Sequence, residues 1–234
     1  MTIAEEKQIS QALPRVAGEG GAPAPGGGDF LPPLSPYGDI SPQRGATKPP
    51  IDKRALRKKL RTLEKSLSSD YRTQSGRAIM SALLSMDACR KAECVCCFVG
   101  TGYEIDTRPL LCDALSHGKR LCVPRCAGRG VMDMRLVRSL DELAPGMMGI
   151  PEPSADAEIV EPSAIGFLIV PCLACDCRGN RLGRGGGYYD RFLSEYKGAS
   201  VALCREAMLQ DFIPMERYDK RVPLVLSERG LYRP

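Results

Sequence analysis

The stretch Phe167-Leu168-Ile169-Val170-Pro171 is apolar from end to end, with no polar residue between its members. A strand with one wet face alternates apolar and polar side chains, whereas a strand covered on both faces does not have to. Residues 94–99 read the same way, and residues 121–123, 131–137, 200–204 and 222–226 supply further short strands. Helix-like segments lie between these runs. A sheet covered on both faces by helices is a three-layer α/β/α sandwich with a mostly parallel sheet, and this is the expected fold. The chain contains no internal repeat.

Upstream of the first strand, Leu56, Leu60, Leu63 and Leu67 recur at spacings of four, three and four, which draws one apolar stripe along a helix. Asp52 is placed to cap it, directly after Pro49-Pro50. Lys53, Arg54, Arg57, Lys58, Lys59 and Arg61 crowd its other faces. A second helix is expected over 69–86, with Ile79, Leu83 and Met86 inward, and a third over 107–117, stopped by Gly118. A fourth runs over 187–196. Residues 18–50 are dense in Gly, Pro and Ser without apolar periodicity, so residues 1–50 are expected to be a disordered tail and residues 51–234 the folded domain.

Composition narrows the class. The 234 residues are 43% hydrophobic with a net charge of +5, as expected of a globular protein. The longest apolar run, residues 167–173, is too short to span a bilayer. Glu5 and Glu6 open a segment without the pattern of a signal or transit peptide, so a cytoplasmic location is expected. Eleven cysteines cannot all pair, and reduced thiols are expected. Cys94, Cys96 and Cys97 fall at strand positions that point to opposite faces, and they read as core. Cys172, Cys175 and Cys177 complete the Cys-rich set, and no zinc site is expected from either group. His117, the single histidine, stands at a helix end and reads as a surface residue.

The segment richest in chemistry is Gly179-Asn180-Arg181-Leu182-Gly183-Arg184-Gly185-Gly186-Gly187-Tyr188-Tyr189-Asp190. Consecutive glycines let a backbone turn through positive φ and approach a ligand closely. Their N–H groups, with the free donors of the helix that follows, make a concave anion site, and Arg181 and Arg184 add planar phosphate-binding forks. The glycine spacing is neither that of a Walker loop nor that of a dinucleotide fingerprint. A phosphate-binding turn is the reading.

This segment resembles the signature of the 5-formyltetrahydrofolate cyclo-ligase family. Lys53-Arg54-Ala55-Leu56-Arg57, Glu104-Ile105-Asp106-Thr107, Pro124-Arg125, Met132-Asp133-Met134 and Ile150-Pro151-Glu152-Pro153 resemble further family elements in the expected order. The resemblance implies ATP-dependent conversion of 5-formyltetrahydrofolate to 5,10-methenyltetrahydrofolate. It also implies Mg²⁺, with Asp190 and Asp219 as metal ligands. ATP would be held by Lys53, Arg54, Arg57 and residues 179–187, with Arg181 and Arg184 catalytic, and the folate by Glu104, Arg184 and Tyr188. A monomer or weak homo-oligomer is expected, with neither membrane nor nucleic acid as a partner. The competing reading is a diverged relative that binds nucleotide or nucleic acid without turning over folate. Four positions depart from the family pattern: Tyr218 precedes Asp219 in place of His, Pro223 takes the place of a second Asp, and Cys172 and Cys175 replace Gly and Phe.

Overall fold

The computed structural model describes residues 52–234, so the expectation of a disordered tail over residues 1–50 lies outside the described residues. Five helices and eleven strands follow in order. They are α1 (Lys53–Ser66), α2 (Ser69–Ser85), α3 (Asp87–Lys91), β1 (Cys94–Cys97), α4 (Arg108–Ser116), β2 (Arg120–Gly128), β3 (Val131–Val137), β4 (Ala144–Pro145), β5 (Pro151–Glu152), β6 (Phe167–Pro171), β7 (Ala174–Cys175), β8 (Arg181–Leu182), α5 (Tyr188–Glu195), β9 (Ala199–Leu203), β10 (Val225–Ser227) and β11 (Gly230–Tyr232). Asp52 caps α1 as expected: its carboxylate accepts from the amides of Arg54 (2.8 Å) and Ala55 (3.3 Å).

Seven strands form one sheet in the order β11-β10-β9-β6-β1-β2-β3. The four central ladders are parallel, and the ladders to β11 and β3 are antiparallel. The fully apolar strand β6 sits at the middle, between β1 and β9, where both faces are covered. Side chains alternate between two cores. Cys94 and Cys96 of β1 and Leu168 and Val170 of β6 face a cluster closed by Leu60 of α1 and Leu193 of α5. Val95, Cys97, Phe167 and Ile169 face the opposite cluster, closed by Ile79 and Leu83 of α2, Cys89 of α3 and Leu110 and Leu111 of α4. Two helices on one face and three on the other make the three layers. Each fully buried aliphatic or Phe side chain contributes roughly 1.5–3 kcal/mol.

Parallel strands put their carboxyl ends on one edge of a sheet, and the crevice outside that edge is where open α/β sheets bind ligands. Here β1 ends into the segment carrying Glu104, β6 into Cys172, and β9 into Cys204 and Arg205.

Candidate functional site

One face of α1 forms the first wall. Lys53 is nearly enclosed, and its Nζ is hydrogen-bonded to Asp219 Oδ2. One turn on, Arg57 Nε donates to the Gly183 carbonyl (3.0 Å), and a turn further Arg61 donates to the Arg184 carbonyl (2.9 Å). Glu64, buried at 6% exposure, ends the row. Residues 53, 57, 61 and 64 fall on one side of a 3.6-residue helix, so a single rigid element grips the whole glycine loop.

The loop leaves the short β7–β8 ladder and turns into α5. Gly187 caps α5 with φ 69° and ψ 8°, a left-handed conformation that favours glycine. Among the described residues, the amides of residues 184–189 donate to no other group. A row of free donors at a helix start is an anion cradle. Gly179 and Asn180 differ from the expectation of nucleotide contact. They form the turn between β7 and β8, where their amides and the Asn180 side chain are bonded to buried Asp176, and Asn180 Oδ1 accepts from Arg221. Leu182 is core.

The two arginines have different surroundings. The Arg181 side chain is 3% exposed and donates to Asp190 Oδ1 (2.9 Å) and to the Pro171 carbonyl (3.4 Å). Arg184 is 42% exposed and joins two acids, with Nε on Glu104 Oε1 (2.9 Å) and NH2 on Glu64 Oε1 (3.0 Å). Burial works against its charge, but Glu104 and Glu64 outweigh this and hold its pKa above the usual value. Glu104 is fixed in turn: the amide and hydroxyl of Thr101 donate to its other oxygen. Gly100 allows this loop to close, because a Cβ there would stand 2.0 Å from the Ile105 carbonyl oxygen. Buried Arg205 braces the loop from behind through the carbonyls of Tyr103 and Glu104. Tyr188 turns its hydroxyl to Met147 Sδ (3.4 Å).

Two hollows flank this arrangement. A groove of about 790 Å³ runs along α1, lined by Arg54, Arg57, Lys58, Arg61, Lys65 and Arg184 among others. A small cavity of about 20 Å³ lies on the other side, lined by Glu64, Glu104, Cys172, Cys204 and Arg205. A cationic groove ending at an acid-braced arginine suits a polyphosphate.

The two expected metal ligands lie on neighbouring segments: Asp190 Oδ1 also accepts from the amide of Lys220, next to Asp219. Each keeps one carboxylate oxygen, Asp190 Oδ2 and Asp219 Oδ1, without a hydrogen bond among the described residues. Hard oxygens in this number fit Mg²⁺, which takes one or two carboxylates beside phosphate oxygens and water.

The thiols of Cys172 and Cys175 converge with that of Cys204, the residue after β9, all three Sγ atoms lying within 4.8 Å of one another, while Cys177 is exposed. The neighbouring thiols of Cys175 and Cys204, and then Arg181 and Arg184, hold the Cys172 pKa well below its usual value, and the Cys172 thiol donates to the Leu203 carbonyl (3.1 Å). Glu64, Arg205 and Cys204 were not singled out from the sequence. For Glu64 a signal existed, because an acid four residues after Leu60 stands on the apolar stripe itself.

Fold and site together define an α/β protein with a glycine-rich loop, its amides free among the described residues, at the carboxyl edge of its sheet. The 5-formyltetrahydrofolate cyclo-ligase family model matches residues 50–228, and the chain belongs to that family. It is 29% identical to the 5-formyltetrahydrofolate cyclo-ligase of Escherichia coli over 72% of this chain and 96% of that one. Against the mouse 5-formyltetrahydrofolate cyclo-ligase the identity is 27%, over 75% and 93%. The solved structure of Aquifex aeolicus 5,10-methenyltetrahydrofolate synthetase superposes with a TM-score of 0.70 at 31% identity, covering 77% of this chain and 92% of that one. A second, from Mycoplasma pneumoniae, shares the fold with a TM-score of 0.61 at 18% identity. Among the described residues, no helix is long and apolar enough to cross a membrane.

Proposed function

We propose that this chain is an ATP-dependent ligase that closes 5-formyltetrahydrofolate to 5,10-methenyltetrahydrofolate, releasing ADP and phosphate. The observation that carries this reading is the position of Arg184. It stands where the cationic groove of α1 meets Glu104, the residue expected at the folate.

In the reaction, the formyl oxygen attacks the γ-phosphorus and ADP departs. N10 then attacks the activated formyl carbon and loses its proton, and phosphate leaves with the former formyl oxygen. Such a sequence asks a protein for positioning and for charge at the phosphoryl group. In this reading the amides of residues 184–189 hold the polyphosphate together with Arg54 and Arg57, which line the groove, while Lys53, bonded to Asp219, acts from the start of α1. Arg184, the more exposed of the two arginines, is the one we assign to the transferred group. Arg181 acts through Asp190, holding the start of α5 against the segment that carries Asp219 and Lys220. Glu104 and Tyr188 orient the folate. Asp190 and Asp219 would hold Mg²⁺, which would supply charge neutralisation at the phosphates.

The test is the appearance of methenyltetrahydrofolate absorbance from 5-formyltetrahydrofolate, with and without ATP and with EDTA. Formation only with both ATP and Mg²⁺ is expected. ATP binding without product under any condition would reject turnover and favour a nucleotide-binding relative.

A further inference from the structure

We propose that Cys172, Cys175 and Cys204 form a binding site for a thiophilic cation, Zn²⁺, at the carboxyl edge of the sheet beneath the cleft. The three Sγ atoms lie within 4.8 Å of one another. Zinc–sulfur bonds of about 2.3 Å at the tetrahedral angle place ligand sulfurs roughly 3.8 Å apart, so the set closes on an ion with shifts of about 1 Å or less. Among the described residues, no other three ligand atoms of His, Cys, Asp or Glu gather in this way.

The convergence is set by sheet register. Pro171 of β6 pairs with Leu203 of β9 in the parallel ladder, and Cys172 and Cys204 are the residues that follow them. Cys175 is brought over by the turn into β7. The protein carries no fourth thiol here, but Cys172 and Cys204 line the 20 Å³ cavity, which has room for about one water. A site with three protein ligands and one open position is an established zinc arrangement.

The Cys172 thiol donates to the Leu203 carbonyl (3.1 Å) and the Cys204 thiol to the Arg205 carbonyl (3.6 Å), two bonds that ligation would exchange for zinc, and the charges balance. Three thiolates and Zn²⁺ leave one net negative charge. Arg181 pairs directly opposite Cys175 in the β7–β8 ladder, so the two side chains share a face. The Arg181 Nε is buried without a hydrogen-bond partner among the described residues. A donor left over beside an anionic thiolate centre is the outer-shell partner such a centre uses.

The experiment uses the full chain, reduced and stripped of metal with a chelator, and titrated with Co²⁺ as the spectroscopic stand-in for Zn²⁺. The expected result is one Co²⁺ per chain, with a sulfur-to-cobalt charge-transfer band and tetrahedral d–d bands, displaced by one equivalent of Zn²⁺. Cys175→Ser and Cys204→Ser should each lose most of the charge-transfer intensity, whereas Cys112→Ser and Cys177→Ser, at exposed thiols, should keep it. Absence of a thiolate band in the wild-type protein overturns the proposal without any variant, so a serine variant that fails to fold does not shield it. A band undiminished in Cys204→Ser overturns it too. So does a Cys172–Cys175 disulfide, found by peptide mapping, in protein whose reduced form takes up no Co²⁺.

Discussion

Arg184 joins two carboxylates from different elements, and one of them, Glu64, is buried. Arg184→Ala removes charge-assisted contacts worth roughly 1.5–3 kcal/mol each. Turnover, or the apparent constant for ATP, should worsen about 10-fold or more in steady-state kinetics. Arg184→Lys should stay impaired, because an ammonium cannot span both acids as a planar fork does. Arg181→Ala should behave differently, although the sequence presents the two arginines alike. It strands the Asp190 charge, which costs about 3 kcal/mol or more, and should lower the melting temperature by roughly 6 °C or more. The defect of Asp190→Ala should lessen as Mg²⁺ is raised, and the Arg184→Ala defect should not. At this scale the loop was legible because glycine and arginine carry their chemistry locally. The burial of Arg181 was not, since it depends on Asp190 returning from the next helix.

The continuous apolar strands were readable as elements because both cores draw on them. Strand β2 runs on to Gly128, beyond the apolar residues 121–123, because its pairing with edge strand β3 is held by backbone hydrogen bonds that need no apolar run. The strand expected at 222–226 lies at residues 225–227 as β10, and β11, three residues at the sheet edge, left no pattern to read. Helix α2 is tied to the far side of the sheet by a polar contact that periodicity also misses. Tyr71 donates to Glu228, and its hydroxyl accepts from the amide of Ala207 (3.1 Å). Burial first, and then Glu228, push the Tyr71 pKa from 10.0 up to about 12. Folded Tyr71 therefore holds its proton more tightly than unfolded Tyr71. Its stabilisation is complete below pH 10 and is lost as pH rises toward about 12. Melting temperatures across that interval should fall more steeply for the wild type than for Tyr71→Phe. Equal slopes would remove this tyrosine as the cause.

At the scale of the molecule, residues 52–234 carry the seven-stranded sheet, both cores and every residue placed at the candidate site. We propose this part as the catalytic domain. Deleting residues 1–48 should leave turnover and melting temperature nearly unchanged, and a loss of several degrees would show that the deleted segment contributes to the fold. One feature of the interior governs how the whole protein recovers from denaturation. Cys89, Cys94, Cys96, Cys97 and Cys122 are buried, sealed from oxidant by packing alone, without a disulfide among the described residues. Once the chain opens, these thiols are exposed together, and cross-links formed in air would trap it in arrangements that cannot repack. Heating should thus be reversible in the presence of reductant and progressively irreversible without it. Rescanning a cooled sample with and without a phosphine reductant measures the difference.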